Sequence, residues 1–429
     1  MNQLFDRLPF RPADILLPRD CPYETWSVVA CDQYTSQPEY WQRVEERVGT
    51  NPSTLRLILP ESCLEGPDVE TDIMSINNTM SHYIRGGRFV CHPDALFYVE
   101  RTLDSGKLRR GLIGMVDLEQ YDYEPGSAAP IRATEGTVLS RIPPRVAVRK
   151  NAPIELPHVM LLMDDPEKTV LEPLSGQTGE MTPLYDFELM ERGGHIRGWK
   201  LTQDQQEQVA RALTELADPQ HLRDRYRREE TMLFAVGDGN HSLATAKECY
   251  ERQKRLTPPE QWASLPARYA LVELNNLHDD SLEFEPIHRV VFGVEPEQLV
   301  QALEQAARDG QLSAGQEGQH QLPWVSADGE GCVRVDHPAA QLPVGTLQNF
   351  LDGYLESHPQ ARIDYIHGDQ VARDLARGRK DAVAFLLPPM AKEALFPTVV
   401  YDGALPRKTF SMGEAHDKRF YLEGRKIRL

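Results

Sequence analysis

In Phe234-Ala235-Val236-Gly237-Asp238-Gly239-Asn240-His241-Ser242-Leu243-Ala244-Thr245-Ala246-Lys247 an apolar run breaks at two glycines and a helical pattern follows. A strand that ends in a glycine loop and feeds a helix is a building unit of mixed α/β sheets. The same junction gathers unpaired backbone N–H groups and the positive end of a helix dipole at one point, which suits a phosphate or a carboxylate. Gly237 and Gly239 let the backbone approach a ligand closely. Asp238 offers a proton acceptor or an Mg2+ ligand. His241 titrates near neutral pH and can act as acid, base or hydrogen-bond donor to phosphate. The plain alternative is turn chemistry, with Asn240 or Ser242 merely capping the helix. The stretch is not a Walker A loop, because GxxxxGK[ST] is absent and Lys247 lies too far into the helix.

Outward from this junction, strands and helices alternate. Val69 to Ile84 carries apolar residues at helical spacing and stops at Gly86-Gly87. Ala95 to Leu103 predicts a strand, Asp104-Ser105-Gly106 a turn, and Leu112 to Leu118 the hairpin partner. Thr202 to Ala217 places Val209, Leu213 and Leu216 on one helix face. Met232 to Val236, Arg268 to Leu274 and Val290 to Phe292 predict further strands. Beyond Gly293, helices are expected over Pro296 to Arg308, Leu347 to Glu356 and Gln370 to Gly378. Strands are expected at Ile363 to Ile366 and Ala382 to Leu387, with a loop-rich stretch holding one short strand from Asp309 to Gln341. The fold class is therefore α/β or α+β. The expected division is a core domain, 1–292, and a C-terminal α/β domain, 293–429, packing back on the core.

A second chemical cluster runs from Arg132-Ala133-Thr134-Glu135-Gly136-Thr137 to Arg141-Ile142-Pro143-Pro144-Arg145-Val146-Ala147-Val148-Arg149. If 145–149 is extended, Arg145 and Arg149 share a face and can clamp a phosphate chain or a carboxylate. The bland reading is a solvated strand pairing with surface acids. Lys408 is a candidate phosphate-neutralising charge, though a lone lysine is more often structural. His288, in Pro286-Ile287-His288-Arg289, reads more simply as a structural histidine.

Lysine and arginine number 47 against 65 aspartates and glutamates, a net charge of −18. That balance disfavours nucleic acid as the main partner, but not a small phosphorylated ligand in a local basic pocket. No apolar run approaches the roughly 20 residues that span a bilayer. The first residues, MNQLFDRLPFRP, lack a basic-then-apolar leader pattern. A cytoplasmic location and no membrane partner are the expectation. Cys21, Cys31, Cys63, Cys91, Cys249 and Cys332 are scattered without zinc or disulfide-scaffold spacing.

Together these stretches resemble the bacterial and archaeal family called domain of unknown function 1015. The match is carried by Asn51-Pro52 through Leu59-Pro60-Glu61, and by Thr134-Glu135-Gly136-Thr137 with Arg141-Ile142-Pro143-Pro144-Arg145. It continues through Val236 to Ser242, Pro286-Ile287-His288-Arg289, and Pro406-Arg407-Lys408-Thr409-Phe410-Ser411. Many members have a DGHHR-like loop where this chain has Asp238-Gly239-Asn240-His241-Ser242. The basic residue at the loop's end is absent, so Arg141, Arg145 or Lys408 would have to supply that contact. More distantly, the family is similar to the group containing the partition protein ParB, sulfiredoxin and the free-serine kinases.

That resemblance implies a ParB/sulfiredoxin-like nucleotide-binding core whose phosphate loop is Asp238 to Ser242, with ATP or ADP as cofactor. Gly237, Gly239, Asn240, Ser242, Arg141, Arg145 and Lys408 are the candidate nucleotide contacts. Asp238, His241 and Glu135 are the candidate catalytic residues, and Asp238 with Glu135 the candidate Mg2+ ligands. The expected activity is nucleotide-dependent phosphoryl transfer to a small hydroxyl-bearing metabolite such as serine. The alternative is a regulatory protein that binds a nucleotide or metabolite without chemistry. DNA partitioning is disfavoured by charge and by the lack of a basic recognition helix. Sulfiredoxin-like redox repair is disfavoured because no cysteine adjoins the loop.

Overall fold

The computed structural model describes residues 3–35, 37–64, 66–137, 139–314 and 317–428. The contacts divide the chain into two units, Met1–Leu282 with Glu414–Leu429, and Glu283–Gly413. Both are mixed α/β.

The first unit is built on a ten-stranded sheet. Its strands are β1 (Phe10–Arg11), β2 (Phe97–Thr102), β3 (Leu108–Asp117), β4 (Tyr121–Asp122), β5 (Ile131–Ala133), β6 (Met160–Met163), β7 (Thr182–Glu188), β8 (His195–Lys200), β9 (Phe234–Asp238) and β10 (Tyr269–Asn276). The order across the sheet is β7-β8-β2-β3-β10-β6-β9-β5-β4, with β1 on β3. Side chains alternate between its faces, as a period of two requires. Phe97 and Val99 join a core with Trp26, Tyr185 and Ile196, whereas Tyr98 joins the one holding Phe10, Leu161, Val209 and Phe234.

Four helices of this unit matter here: α1 (Val69–Arg85), α2 (Ile142–Arg149), α3 (Gln203–Leu216) and α4 (Asn240–Lys254). The start of α3 is set by a capping box: Thr202 Oγ1 accepts from Gln205 N–H while Gln205 Oε1 accepts from Thr202 N–H. The 145–149 stretch is not extended but lies in α2. Pro143 and Pro144 in its first turn have φ already set for a helix and lack N–H groups a helix start leaves unused. Ile142 and Val146, four apart, then bury together against Ala244 and Cys249.

In the second unit β11 (Phe284–Phe292), β12 (Gln319–Val325), β13 (Glu330–Asp336), β14 (Arg362–His367) and β15 (Ala382–Phe385) run in the order β13-β12-β15-β11-β14. Helices Pro296–Arg308, Pro343–Ser357 and Asp369–Arg377 accompany them. Because β11 pairs with β14, β15 and Phe410–Met412, residues 284–292 belong to this unit, ahead of the break expected after 292. The stretch read as loop-rich holds a full hairpin, β12–β13. Its exposed face is polar (Gln319, Gln321, Arg334, Asp336) and Pro323 interrupts the pattern, which hid it from sequence reading. Among the described residues no helix is long and apolar enough to cross a membrane.

Candidate active site

The Gly237–Ser242 junction sits at one end of the strands of the large sheet, on the inner strand β9. β5 and β9 are parallel, with Ala133 opposite Val236, so both end there; β6 runs antiparallel to β9 and begins there, with Met160 opposite Asp238. Such strand ends are where open α/β sheets place ligands. Residues far apart in sequence thus meet through backbone pairing.

Gly239 turns the chain from β9 into α4 with φ 86° and ψ 27°, the left-handed region, and its carbonyl accepts the first helical bond from Leu243 N–H (3.0 Å). A Cβ there would lie 3.1 Å from Val159 Cα and Cγ2. Gly239→Ala is expected to cost about 1–2 kcal/mol from the backbone conformation alone, read by urea unfolding. An unchanged midpoint would overturn this account of the turn.

Asn240 is committed to structure. Its amide donates to Thr134 Oγ1 (3.2 Å), its carbonyl oxygen accepts from Thr134 N–H (3.2 Å), and Thr134 Oγ1 donates to Val236 O (2.6 Å). This clasp brings the segment carrying Glu135 to the start of α4. Asp238 Oδ1 accepts from Gly239 N–H (3.1 Å), and its Oδ2 lies 3.7 Å from Lys418 Nζ. His241 and Ser242 are half-buried in the first turn of α4. Ser242 Oγ is 3.0 Å from His158 Nε2.

His158 leads into β6, and its Nδ1 is 2.8 Å from the Tyr421 hydroxyl. Tyr421 belongs to the tail strand Phe420–Tyr421, which pairs with Val28–Val29. The tyrosine hydroxyl donates to Cys31 Sγ (3.1 Å) and accepts from Cys31 N–H (3.2 Å). Asp32 Oδ2 stands 4.0 Å from His158 Nε2. Burial works to raise the Asp32 carboxyl, but the neighbouring His158 ring, the Gln33 amide (3.0 Å) and the Lys418 ammonium together hold it below the ordinary aspartate value. Burial, with Asp32 beside it, pushes the Cys31 thiol up to about 12, so it is neutral here.

Lys418 is placed by an arginine clamp. Arg101 donates to the carbonyls of His416 (2.6 Å), Asp417 (3.2 Å) and Lys418 (2.7 Å), and Arg109 to that of Asp417 (2.8 Å). Arg419 bonds Glu273 (2.8 Å) and Glu423, while Tyr185 donates to Glu423 (2.5 Å).

The remaining candidates are distributed differently. Arg145 pairs with Glu61 (2.6 Å), whose N–H donates to Cys31 O (2.8 Å), so it joins the Cys31–Asp32 loop through an acid. Arg149 turns away to Glu155 (2.5 Å). Arg141 is exposed at the start of α2, and Arg132 is buried against Glu230. Lys408 and His288 lie in the second unit. There the Lys408 carbonyl accepts from Arg289 (2.7 Å), and His288 Nδ1 accepts from Leu387 N–H (3.1 Å), a structural role. Sequence reading passed over Asp32, His158, Lys418 and Tyr421. The one signal for His158 was its position immediately before the apolar run 159–163.

No group of three or more His, Cys, Asp or Glu side chains among the described residues is arranged to hold a metal ion. Mg2+ is commonly carried by one or two carboxylates together with nucleotide phosphates and water, and Asp238 offers one such carboxylate.

Fold and site together define a mixed α/β protein with a glycine turn at the strand ends of its large sheet. The chain belongs to the family described as protein of unknown function DUF1015, whose sequence profile matches residues 10–354. No curated protein matches it by sequence. Among solved structures it is similar to a free serine kinase in complex with AMP, at 11% identity and a TM-score of 0.35, covering 73% of this chain and 91% of that one. A conserved hypothetical protein from Pyrococcus furiosus gives 10% identity and a TM-score of 0.33, covering 73% and 94%. SbnI with C-terminal truncation from Staphylococcus aureus gives 11% and 0.32, covering 72% and 82%.

Proposed function

We propose that this protein is a nucleotide-dependent phosphotransferase that uses ATP or ADP and acts on a small hydroxyl-bearing metabolite, serine being the first candidate. The carrying observation is the approach of Lys418 to Asp238 at the start of α4. An ammonium, a carboxylate suited to Mg2+ and the positive end of a helix dipole converge where a phosphate chain would lie. In this reading Gly237, Gly239 and the first turn of α4 hold phosphates, and Asp238, with Glu135, takes Mg2+. His241 contacts the transferred group, and Asp238 or Glu135 orients the attacking hydroxyl. Arg141 and Arg145 remain candidates for the outer phosphate contacts.

A nucleotide at a hundred times its dissociation constant should stabilise the fold by about 2.7 kcal/mol. Thermal melts with ATP and ADP, each with and without Mg2+, are expected to show that shift, and nucleotide turnover should depend on one hydroxy metabolite. No shift with any nucleotide would overturn the reading. A shift without turnover would favour the second one, a nucleotide- or metabolite-binding regulator. The pairing of Arg145 with Glu61, which spends a candidate phosphate contact on an acid, is the observation on that side.

A further inference from the structure

Ser242 does not behave like a helix-start serine. Such a side chain ordinarily caps the helix or bonds a carbonyl one turn back. Thr245, three residues on, does the latter, donating to His241 O (2.7 Å). The Ser242 hydroxyl instead faces the buried imidazole of His158 at 3.0 Å. The ring's other nitrogen, Nδ1, lies 2.8 Å from the Tyr421 hydroxyl, which holds the imidazole in place. In the tautomer with its hydrogen on Nδ1, Nε2 offers its lone pair to the Ser242 hydroxyl. Asp32 stands 4.0 Å from the same Nε2, placed to stabilise an imidazolium once one forms. A hydroxyl, a base within hydrogen-bond reach and a third group orienting the base are the signature of an activated nucleophile.

We propose that Ser242 is a covalent phosphoryl acceptor, with His158 as its general base and Tyr421 and Asp32 as positioning residues. The identity of the donor rests on the nucleotide reading above. In the step, Ser242 Oγ bonds to the terminal phosphorus, and the bond from that phosphorus to its bridging oxygen breaks. The electron pair leaves on the shortened nucleotide, and the serine proton passes to His158 Nε2. Attack by an acceptor hydroxyl on the phosphoserine then breaks the bond from Ser242 Oγ to phosphorus; Oγ takes its proton back from His158, and the acceptor's proton is released.

The full chain is incubated with ATP and Mg2+ in the absence of an acceptor, quenched in acid, and read by intact mass and phosphopeptide mapping. One phosphoryl group is expected, localised to Ser242 and absent from Ser242→Ala. His158→Asn is expected to slow labelling by about a hundredfold or more while keeping the nucleotide-induced thermal shift. Mapping on the unaltered chain makes the result independent of how the variants fold. A parallel incubation with acetyl phosphate separates the two readings. Label at Ser242 from acetyl phosphate without any nucleotide shift keeps the nucleophile and sinks the nucleotide. A nucleotide shift with no label at Ser242 from either donor, or label at another residue, overturns the inference and leaves the nucleotide reading standing.

Discussion

Arg419→Met is expected to lower the unfolding free energy by about 3–5 kcal/mol, because it leaves buried charges without their partner. Arg419, Glu273 and Glu423 are all within 4% of full burial, and the arginine bonds both carboxylates. Methionine fills similar volume, so lost charge rather than lost packing dominates. Urea denaturation measures the effect, and a loss under about 1 kcal/mol, the scale of an exposed pair, would overturn it. The pH dependence gives a second check. Burial works to raise the Glu273 carboxyl, but Arg419 first, then Arg109 and the Asn275 amide, hold it below the ordinary glutamate value. A carboxyl depressed by folding contributes stability that is full above its unfolded value and lost as pH falls through the folded one. Without Arg419 the strongest influence holding the carboxyl down is lost, so the variant gains less stability as pH climbs through the glutamate range. The gap between the two proteins should therefore be small in acid and full at neutral pH.

Lys418→Met is expected to weaken nucleotide binding by about 30-fold, some 2 kcal/mol, the low end for removing one partner of a desolvated charge pair. Two effects act in the same direction. The ammonium that would meet a phosphate disappears, and the carboxylates it faces, Asp238 and Asp32, are left to repel the incoming anion. The effect should be sharp because the lysine's backbone does not wander: Arg101 and Arg109 hold three successive carbonyls from His416 to Lys418. Isothermal titration with ATP and Mg2+ reads the change. An affinity within about threefold of the unaltered protein would remove Lys418 from the site.

Where local chemistry dominates, the sequence alone was legible. Residues 69–85, 203–216 and 296–308 are helices because apolar spacing and end signals agree. The β9–α4 turn is visible because only glycine accommodates φ 86° without strain. The α2 helix was misread as extended since paired prolines suggest a break unless they fall in a first turn. Within the site, Asp238, His241 and Ser242 stand out beside one another in the chain, but Asn240, equally prominent there, is spent on Thr134.

The sequence by itself determined the mixed α/β class, the glycine junction and the family, since each rests on residues adjacent in the chain. Only the tertiary structure decided which groups share that junction. His158 arrives because β6 is antiparallel to β9, and Lys418 with Tyr421 because the tail pairs with Val28–Val29. The physical reason is that strand pairing joins residues of any sequence separation through backbone hydrogen bonds, which are nearly blind to side-chain identity. A lone histidine before one strand and a lysine in a distant tail therefore carry no local mark of having met.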